Sequence, residues 1–165
     1  MKLLYSYKKN IHSQNEKRLT THDVKIFTPT IPKLILPGEI WDLKKILTRL
    51  FFQIISKGKA KIYYISDGDK IKHTSYVVPK CFKFTFLGES DYEIGPCYTY
   101  SQYRGQGLYP MVLRSICDSL GNIGTTFFMI VDDSNISSVR GIEKAGFVIC
   151  GEIVVTKYTK IYKLK

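Results

Sequence analysis

Apolar and polar positions alternate along the chain in strand-like and helix-like runs, which predicts an α/β architecture. Residues 2–7 and 23–28 have the composition of short strands, and the prolines that follow predict an irregular connection. Over about 40–54 the apolar residues recur at helical spacing, and Gly58 is the expected helix stop. The residues on that apolar face are Ile40, Leu43, Leu47, Leu50 and Ile54.

A β-hairpin is predicted next, because Asp67-Gly68-Asp69 separates two β-rich runs at 60–66 and 71–78. Residues 81–86 then alternate aromatic residues with small or charged ones, which predicts a strand or an extended lid. Its phenylalanines can pack into the core or form an aromatic wall for a substrate, and the pattern leaves both readings open.

The remaining chain predicts a strand at 91–100, a helix beginning near 108 and a buried strand at 125–131. A capped helix that ends at Gly146 and two strands, about 147–156 and 158–164, complete the pattern. Asp133 or Ser134 is the expected cap of that helix. The inward positions of the helix after 108 are predicted to be Leu108, Met111, Val112, Ser115 and Ile116.

The composition is that of one soluble domain over 1–165, with 44% hydrophobic and 24% charged residues. The N-terminus turns polar too soon for a signal peptide, and no apolar run has membrane-spanning length, so we expect a cytoplasmic protein without a membrane partner. No metal site is expected, because neither cysteines nor histidines have ligand spacing. These residues are Cys81, Cys97, Cys117, Cys150, His12, His22 and His73; the cysteines are expected to be buried or half-buried thiols.

A net charge of +11 favours anionic partners over polyamines, which such a surface would repel. The lysines are spread over strands and turns, so an ordinary solvated surface also explains them. An anionic cofactor and an anionic substrate fit this charge, and nucleic acid is not the partner that we expect.

The segment between the strand at 91–100 and the following helix has the features of an anion site. Backbone N–H groups are unpaired at a helix start, and glycines at 105 and 107 allow close approach of a diphosphate. Arg104 adds a full positive charge. The segment is not a Walker loop, because no Gly-Lys-Ser/Thr follows.

Gln102-Tyr103-Arg104-Gly105-Gln106-Gly107 has the form Gln/Arg-x-x-Gly-x-Gly/Ala and resembles the acyl-CoA pyrophosphate loop of GCN5-related N-acetyltransferases (GNAT). A second match, in the family's order, is Asn135 with Ser138, followed by Gly146-Phe147. The resemblance implies an acetyl-CoA or other short acyl-CoA co-substrate, with the Asn135 side chain on its pantetheine arm. The cofactor-binding residues that it implies are Tyr98, Thr99, Gln102, Tyr103, Arg104, Gly105, Gln106, Gly107, Leu108, Asn135 and Ser138.

This resemblance implies a single-domain GNAT fold, in which a mixed central sheet has flanking helices and splayed central strands. It covers about residue 40 to the end, while 1–38 match less well, since the family usually starts with one strand and two helices. In the family the strand before the loop bulges and offers a backbone donor, which is expected here near Tyr98 or Thr99.

Two residues are candidates for the general base. Glu93 lies, by counting back from the loop, where histone-acetylating relatives carry a glutamate, allowing a turn shorter by two residues. His73 lies on the strand expected to border the acceptor cleft, although a half-exposed structural histidine is an alternative. The usual proton-donating tyrosine of the family falls at Ile142, so either another hydroxyl, such as that of Tyr98 or Tyr109, replaces it, or the thiolate leaves with the help of water.

The resemblance therefore implies an N-acyltransferase that acts on a primary amine. Similarity around 92–105 and 139–147 to members associated with bacterial polysaccharide assembly favours an amino sugar carried on a nucleotide as acceptor. The alternatives are a protein or peptide N-acetyltransferase, and a non-catalytic CoA- or nucleic-acid-binding module. A homodimer is left open.

Overall fold

The computed structural model of the chain describes residues 1–8 and 24–165. In this part of the chain three α-helices accompany one mixed sheet of eight strands, which confirms the predicted α/β class. The strands are β1 (Lys2–Lys8), β2 (Val24–Phe27), β3 (Lys61–Asp67), β4 (Lys70–Pro79), β5 (Tyr92–Thr99), β6 (Thr126–Asp132), β7 (Val148–Val155) and β8 (Tyr162–Leu164). The helices are α1 (Leu43–Ile55), α2 (Leu108–Leu120) and α3 (Ile136–Lys144). His12 and His22 lie outside the described residues.

The sheet has the strand order β2-β3-β4-β5-β6-β1-β7-β8. The N-terminal strand β1 is inserted between β6 and β7 and is antiparallel to both, so that Lys2 faces Asp132 on one side and Ile153 on the other. Leu4 and Tyr5 on this strand are fully buried. The first residues of the chain thus join the last two strands to the rest of the sheet.

The only parallel pair in the described sheet, β5 with β6, is short. The two strands are paired at Tyr92 with Phe127 and at Glu93 with Phe128, and beyond these residues they separate. The β5 strand also bulges, because Ser75 and Val77 of β4 face Cys97 and Ile94 and leave an extra residue in β5. The predicted splay of the central strands is confirmed.

The two faces of the sheet carry separate hydrophobic cores. Helices α2 and α3 pack on one face, where Val112, Ile116 and Ile142 are buried against β3, β5 and β6. Helix α1 and the segment after β4 pack on the other face, where Phe52 and Phe84 are buried. Because strand side chains alternate between faces, neighbouring residues of β3 contribute to different cores.

Helix α1 does not pack through its predicted apolar face. It begins at Leu43, one residue after its cap Asp42, and Leu43, Leu47 and Ile54 are each more than half exposed. The buried side chains are Arg49, Phe52 and Gln53. Arg49 is only 2% exposed, because it forms an ion pair with Glu39 and donates to Tyr76 Oη (3.1 Å) and to the Leu34 carbonyl oxygen (2.7 Å). Buried hydrogen-bonded polar groups made the hydrophobic pattern misleading at this helix.

Residues 81–86 form turns, and neither the strand nor the extended lid predicted for them. One isolated bridge joins Phe84 to Tyr162, and the Phe84 ring is buried while Phe82 is 61% exposed. The alternation of aromatic residues therefore places rings against α1 and β8 without a paired neighbouring strand.

Candidate active site

The glycine-bearing loop between β5 and α2 has the geometry of an anion site. A single 3₁₀ turn at Ser101–Tyr103 leads to Gly105 (φ +78°) and Gly107 (φ +74°), which both have left-handed backbone conformations that favour glycine. Helix α2 begins at Leu108, and its first intrahelical bond runs from Met111 N to the Gly107 carbonyl oxygen at 3.2 Å.

Consecutive backbone N–H groups in this loop have no partner among the described residues. They belong to the five residues 105–109, and Pro110, the next residue, has no N–H to satisfy. A Cβ placed on Gly105 or Gly107 would meet no atom within 4 Å, so the backbone is open on that side. A helix N-terminus with free amides and an open approach binds phosphate oxygens.

These amides border a cavity of about 550 Å³ between α2, α3 and β5. Its positive charge comes from Arg104, Arg140 and Lys144, a set that suits a ligand with several phosphate groups. Most of the residues predicted to bind the cofactor line this cavity: Tyr98, Thr99, Tyr103, Arg104, Gly105, Gly107, Leu108, Asn135 and Ser138. Gln102 and Gln106 are exposed and are not among its lining residues.

Asn135, and neither Asp133 nor Ser134, caps α3. Its Oδ1 accepts from Ser138 N at 3.2 Å and from Ser137 Oγ at 3.1 Å. With the oxygen occupied in this way, the amide nitrogen of the side chain is left to donate into the cavity. The prediction of Gly146 as helix stop is confirmed, with φ +96° and its N donating to the Glu143 carbonyl oxygen at 2.9 Å.

Several residues of this cavity were not predicted from the sequence. Ser137, Arg140, Gly141 and Lys144 follow Asn135 at the spacing of one face of a helix, and this spacing is the signal that could have found them. Cys97 also lines the cavity, next to the bulge of β5.

The backbone of β5 directs two amides into the gap left by β6. Tyr100 N donates to the Lys72 carbonyl oxygen of β4 at 3.1 Å, and amide directions alternate along an antiparallel strand. The Tyr98 amide therefore points toward β4, whereas the amides of Cys97 and Thr99 point to the opposite side. The Thr99 carbonyl oxygen also points away from β4, because it accepts a hydrogen bond from Arg104 Nε at 3.1 Å.

A second cavity, of about 570 Å³, meets β5 at Glu93, Gly95 and Pro96 and lies against α1. We call it the acceptor-side cavity, because the candidate base Glu93 lines it. Pro96 borders this cavity and Cys97 borders the first, so the bulge of β5 separates the two. Four of its lining side chains are aromatic, and its charged groups are Glu93, Lys2 and Lys83. The aromatic side chains are Phe51, Phe52, Phe84 and Tyr162.

Glu93 is buried in this second cavity, and its Oε2 has no hydrogen-bond partner among the described residues. Burial raises the pKa of Glu93 to about 8, while the nearby charge of Lys83 acts in the opposite direction. A Cβ at residue 95 would lie only 2.8 Å from Glu93 Oε1, so Gly95 leaves the space that this carboxyl group occupies. An unpaired buried carboxyl group at a cavity wall has the properties of a general base that works near neutral pH.

His73 does not border the cavity that contains Glu93. It is fully buried and lines the first cavity, which is called the cofactor-side cavity after the ligand predicted for it. The His73 Nδ1 and Nε2 each lie 2.7 Å from a hydroxyl, those of Thr99 and Ser75 respectively. Burial lowers the pKa of His73 to about 4, so the ring is neutral at physiological pH. These contacts place His73 as a support for the Thr99 side chain. It is neither at the cavity of Glu93, as a base was expected to be, nor half-exposed, as the structural alternative predicted.

Ile142 is buried in the core, and the side chain that reaches the cavity near it is Tyr109. The Tyr109 ring lies against Gly141 and is 5.7 Å from the His73 ring between centroids. Burial raises the pKa of the Tyr109 hydroxyl, so that it keeps its proton. Burial likewise raises the pKa of the Cys97 thiol to about 12, which argues against Cys97 as a nucleophile.

No family sequence model and no curated protein sequence matches the chain. Among solved structures, the fold is similar to that of a GNAT-family acetyltransferase from Colwellia psychrerythraea, with a TM-score of 0.61 and 16% identity. That match covers 90% of this chain and 52% of the other, so the chain spans about half the length of that protein. A "possible acetyltransferase" from Clostridium difficile 630 matches with a TM-score of 0.52 and 16% identity, over 82% of this chain and 97% of the other. The chain therefore has the fold of GNAT acetyltransferases.

Other features of the described residues concern metals, membranes and thiols. Residues 1–8 and 24–165 contain no group of three or more His, Cys, Asp or Glu side chains that could hold a metal ion. None of the described helices is both long and apolar enough to cross a bilayer. All four cysteines are free thiols, and Cys150 is exposed, contrary to the expectation that all would be buried or half-buried.

Proposed function

We propose that this protein transfers an acetyl or other short acyl group from coenzyme A to a primary amine. The observation that carries the proposal is the run of unpaired amides at residues 105–109, which opens into a cavity lined by Arg104, Arg140 and Lys144. This arrangement suits the diphosphate and the further phosphate of coenzyme A. The likeness to GNAT acetyltransferases in fold adds support.

We propose one or more groups of the chain for each step of the reaction. Coenzyme A supplies the acyl group as an activated thioester. The amides of Cys97 and Thr99 point into the gap between β5 and β6, where they would donate to the thioester oxygen as negative charge develops. Glu93, on the other side of the bulge, would take the proton from the amine.

Tyr109 is the side chain best placed to return a proton to the departing sulfur. Its ring lies in the cofactor-side cavity beside Cys97, whereas Tyr98 is 52% exposed and its ring lies 5.9 Å from the Arg104 guanidinium. A Tyr109→Phe substitution keeps the ring packed against Gly141 and removes only the hydroxyl. We expect this variant to bind coenzyme A normally and to release thiol more slowly.

The acceptor that we propose is an amino sugar carried on a nucleotide. Support comes from the net charge of +11, which would attract phosphate groups. The aromatic side chains of the acceptor-side cavity offer faces for a sugar ring or a base. With 25 basic against 14 acidic residues, the chain is less suited to a basic peptide.

Two measurements on the purified chain test this function. Calorimetry with coenzyme A should give a heat of binding, and thiol release from acetyl-CoA should be faster with nucleotide-linked amino sugars than with lysine peptides. Faster release with peptides would contradict the acceptor class. Absence of coenzyme A binding, together with strongly salt-dependent binding to DNA or RNA, would contradict the acyltransferase proposal itself.

A further inference from the structure

The side chain of Lys83 lies in the acceptor-side cavity within a ring of aromatic groups. Its Nζ is 5.2 Å from the centroid of Phe52, 5.3 Å from Phe51, 5.6 Å from Tyr162 and 5.7 Å from Phe84. Rings at these distances attract a cation through their negative faces. Phe51, Phe52, Phe84 and Tyr162 are called the aromatic cage below.

The aromatic cage holds this ammonium group without help from an ion pair. No carboxylate within residues 1–8 and 24–165 forms a salt bridge with Lys83, whereas the neighbouring Lys80 pairs with Glu89 at 2.7 Å. Lys83 and Glu93 line the same cavity, and the charge of Lys83 acts on the Glu93 carboxyl group. One of the chain's own primary amines thus lies at the same cavity as the candidate base.

We propose that Lys83 is an acyl acceptor, so that the enzyme acetylates its own chain at this residue when no other amine occupies the cavity. This inference rests on the proposed function, since acetyl-CoA supplies the acyl group. The cage would hold Nζ where an external amine would otherwise lie, and proximity would favour the intramolecular reaction over modification of exposed lysines.

The chemistry balances with groups already named. Glu93 takes a proton from the Lys83 ammonium, and the neutral Nζ then forms a bond to the carbonyl carbon of the thioester. The carbon–sulfur bond breaks as the amide forms. The second proton of the nitrogen passes to the departing thiolate, which leaves as the free thiol of coenzyme A. The products are acetyl-Lys83 and free coenzyme A, and no oxidant or metal is needed.

The test is incubation of the full chain with acetyl-CoA and no added amine, followed by intact-mass measurement and peptide mapping over time. We expect one acetyl group, located on Lys83, to appear at least about tenfold faster than on Lys80, because only Lys83 is held in the cavity. Its rate constant should not depend on protein concentration. Equal labelling of Lys80 and Lys83, or a rate that rises with protein concentration, would overturn the proposal.

Three variants sharpen this test. Glu93→Gln should abolish labelling of Lys83 while leaving background labelling of Lys80 unchanged, and Lys83→Arg should remove the labelled site. Phe51→Leu removes a partly exposed ring of the cage and should slow labelling without unfolding the chain. Labelling that survives Glu93→Gln or is unaffected by Phe51→Leu would overturn the role of the cavity.

Failure of this inference can be told from failure of the proposed function. If coenzyme A binds by calorimetry and external amines are acetylated while Lys83 stays unmodified, self-acetylation is wrong and the acyltransferase stands. If coenzyme A does not bind and Lys83 stays unmodified, both are wrong.

Discussion

The ring of Tyr109 occupies the space that a side chain at Gly141 would need. A Cβ at residue 141 would lie 2.5 Å from Tyr109 Cδ1 and 2.9 Å from Cε1, too close for any real contact. The contact joins the first turn of α2 to α3, the two helices that border the cofactor-side cavity. Because residue 141 has no side chain, the Tyr109 ring can pack directly against α3 at this position.

Gly141→Ala is expected to destabilise the chain by about 1–3 kcal/mol through overpacking against this ring. In a Tyr109→Ala background the same substitution should be neutral or stabilising by up to about 1 kcal/mol, because alanine favours a helix more than glycine does. Urea unfolding of the two single variants and the double variant measures this coupling. If Gly141→Ala changed the free energy of unfolding equally in both backgrounds, the contact with Tyr109 would not contribute to stability.

The rate of acyl transfer should rise with pH until Glu93 is ionised. The base must be deprotonated to accept a proton, and burial raises the pKa of Glu93 to about 8, so we expect the rate to increase through neutral pH and level off above about 8. Glu93→Gln should lower turnover by about 10²–10⁴-fold and remove this rise. A pH profile that Glu93→Gln leaves unchanged would exclude Glu93 as the base.

Glu93 should also make the folded chain less stable as pH rises. The unfolded chain releases this proton near pH 4.5, whereas the folded chain keeps it up to about 8, so increasing pH over this window favours unfolding. The chain with Glu93 should lose stability relative to the Glu93→Gln variant between these two values. Denaturant unfolding of both chains at several pH values tests the sign, and a difference that does not change with pH would contradict the burial of an unpaired carboxyl group.

His73 is expected to have the opposite dependence. Burial lowers the pKa of His73 from 6.5 to about 4, so below pH 6.5 the unfolded chain binds a proton that the folded chain does not. Relative to His73→Asn, the chain should lose about 1.4 kcal/mol per pH unit as pH falls from 6.5 toward 4. The pH profile of acyl transfer should contain no step near 6.5 that His73→Asn removes; such a step would restore His73 as a candidate base.

Local signals in the sequence were sufficient to predict where several elements begin and end. The turn of the hairpin was predicted from Asp67-Gly68-Asp69, and in the structure Asp67 and Lys70 face each other across Gly68 and Asp69. The start of α2 after Gly107 and the stop of α3 at Gly146 were also predicted, because both depend on glycine in the left-handed conformation.

Other features depend on contacts between distant residues, which a hydrophobic pattern does not contain. The position of β1 between β6 and β7 requires Leu4 to face Ile130 and Gly151, far along the chain. Arg49 looks like a solvent-facing residue in the sequence, yet its ion pair with Glu39 allows it to be buried. The residues of α3 that line the cofactor-side cavity, and the rings of the aromatic cage, are likewise brought into place by the packing of separate elements.

The central claim is that the backbone amides of residues 105–109 bind the diphosphate of coenzyme A. Its most direct test is a titration of the ¹⁵N-labelled chain with coenzyme A, in which the chemical shifts of the backbone amides are measured by nuclear magnetic resonance. We predict that the amides of Gly105, Gln106, Gly107, Leu108 and Tyr109 show the largest saturable shifts. Pantetheine, which lacks the phosphate groups of coenzyme A, should cause far smaller shifts at these amides. Saturable shifts confined to another surface, with these amides unmoved, would contradict the account.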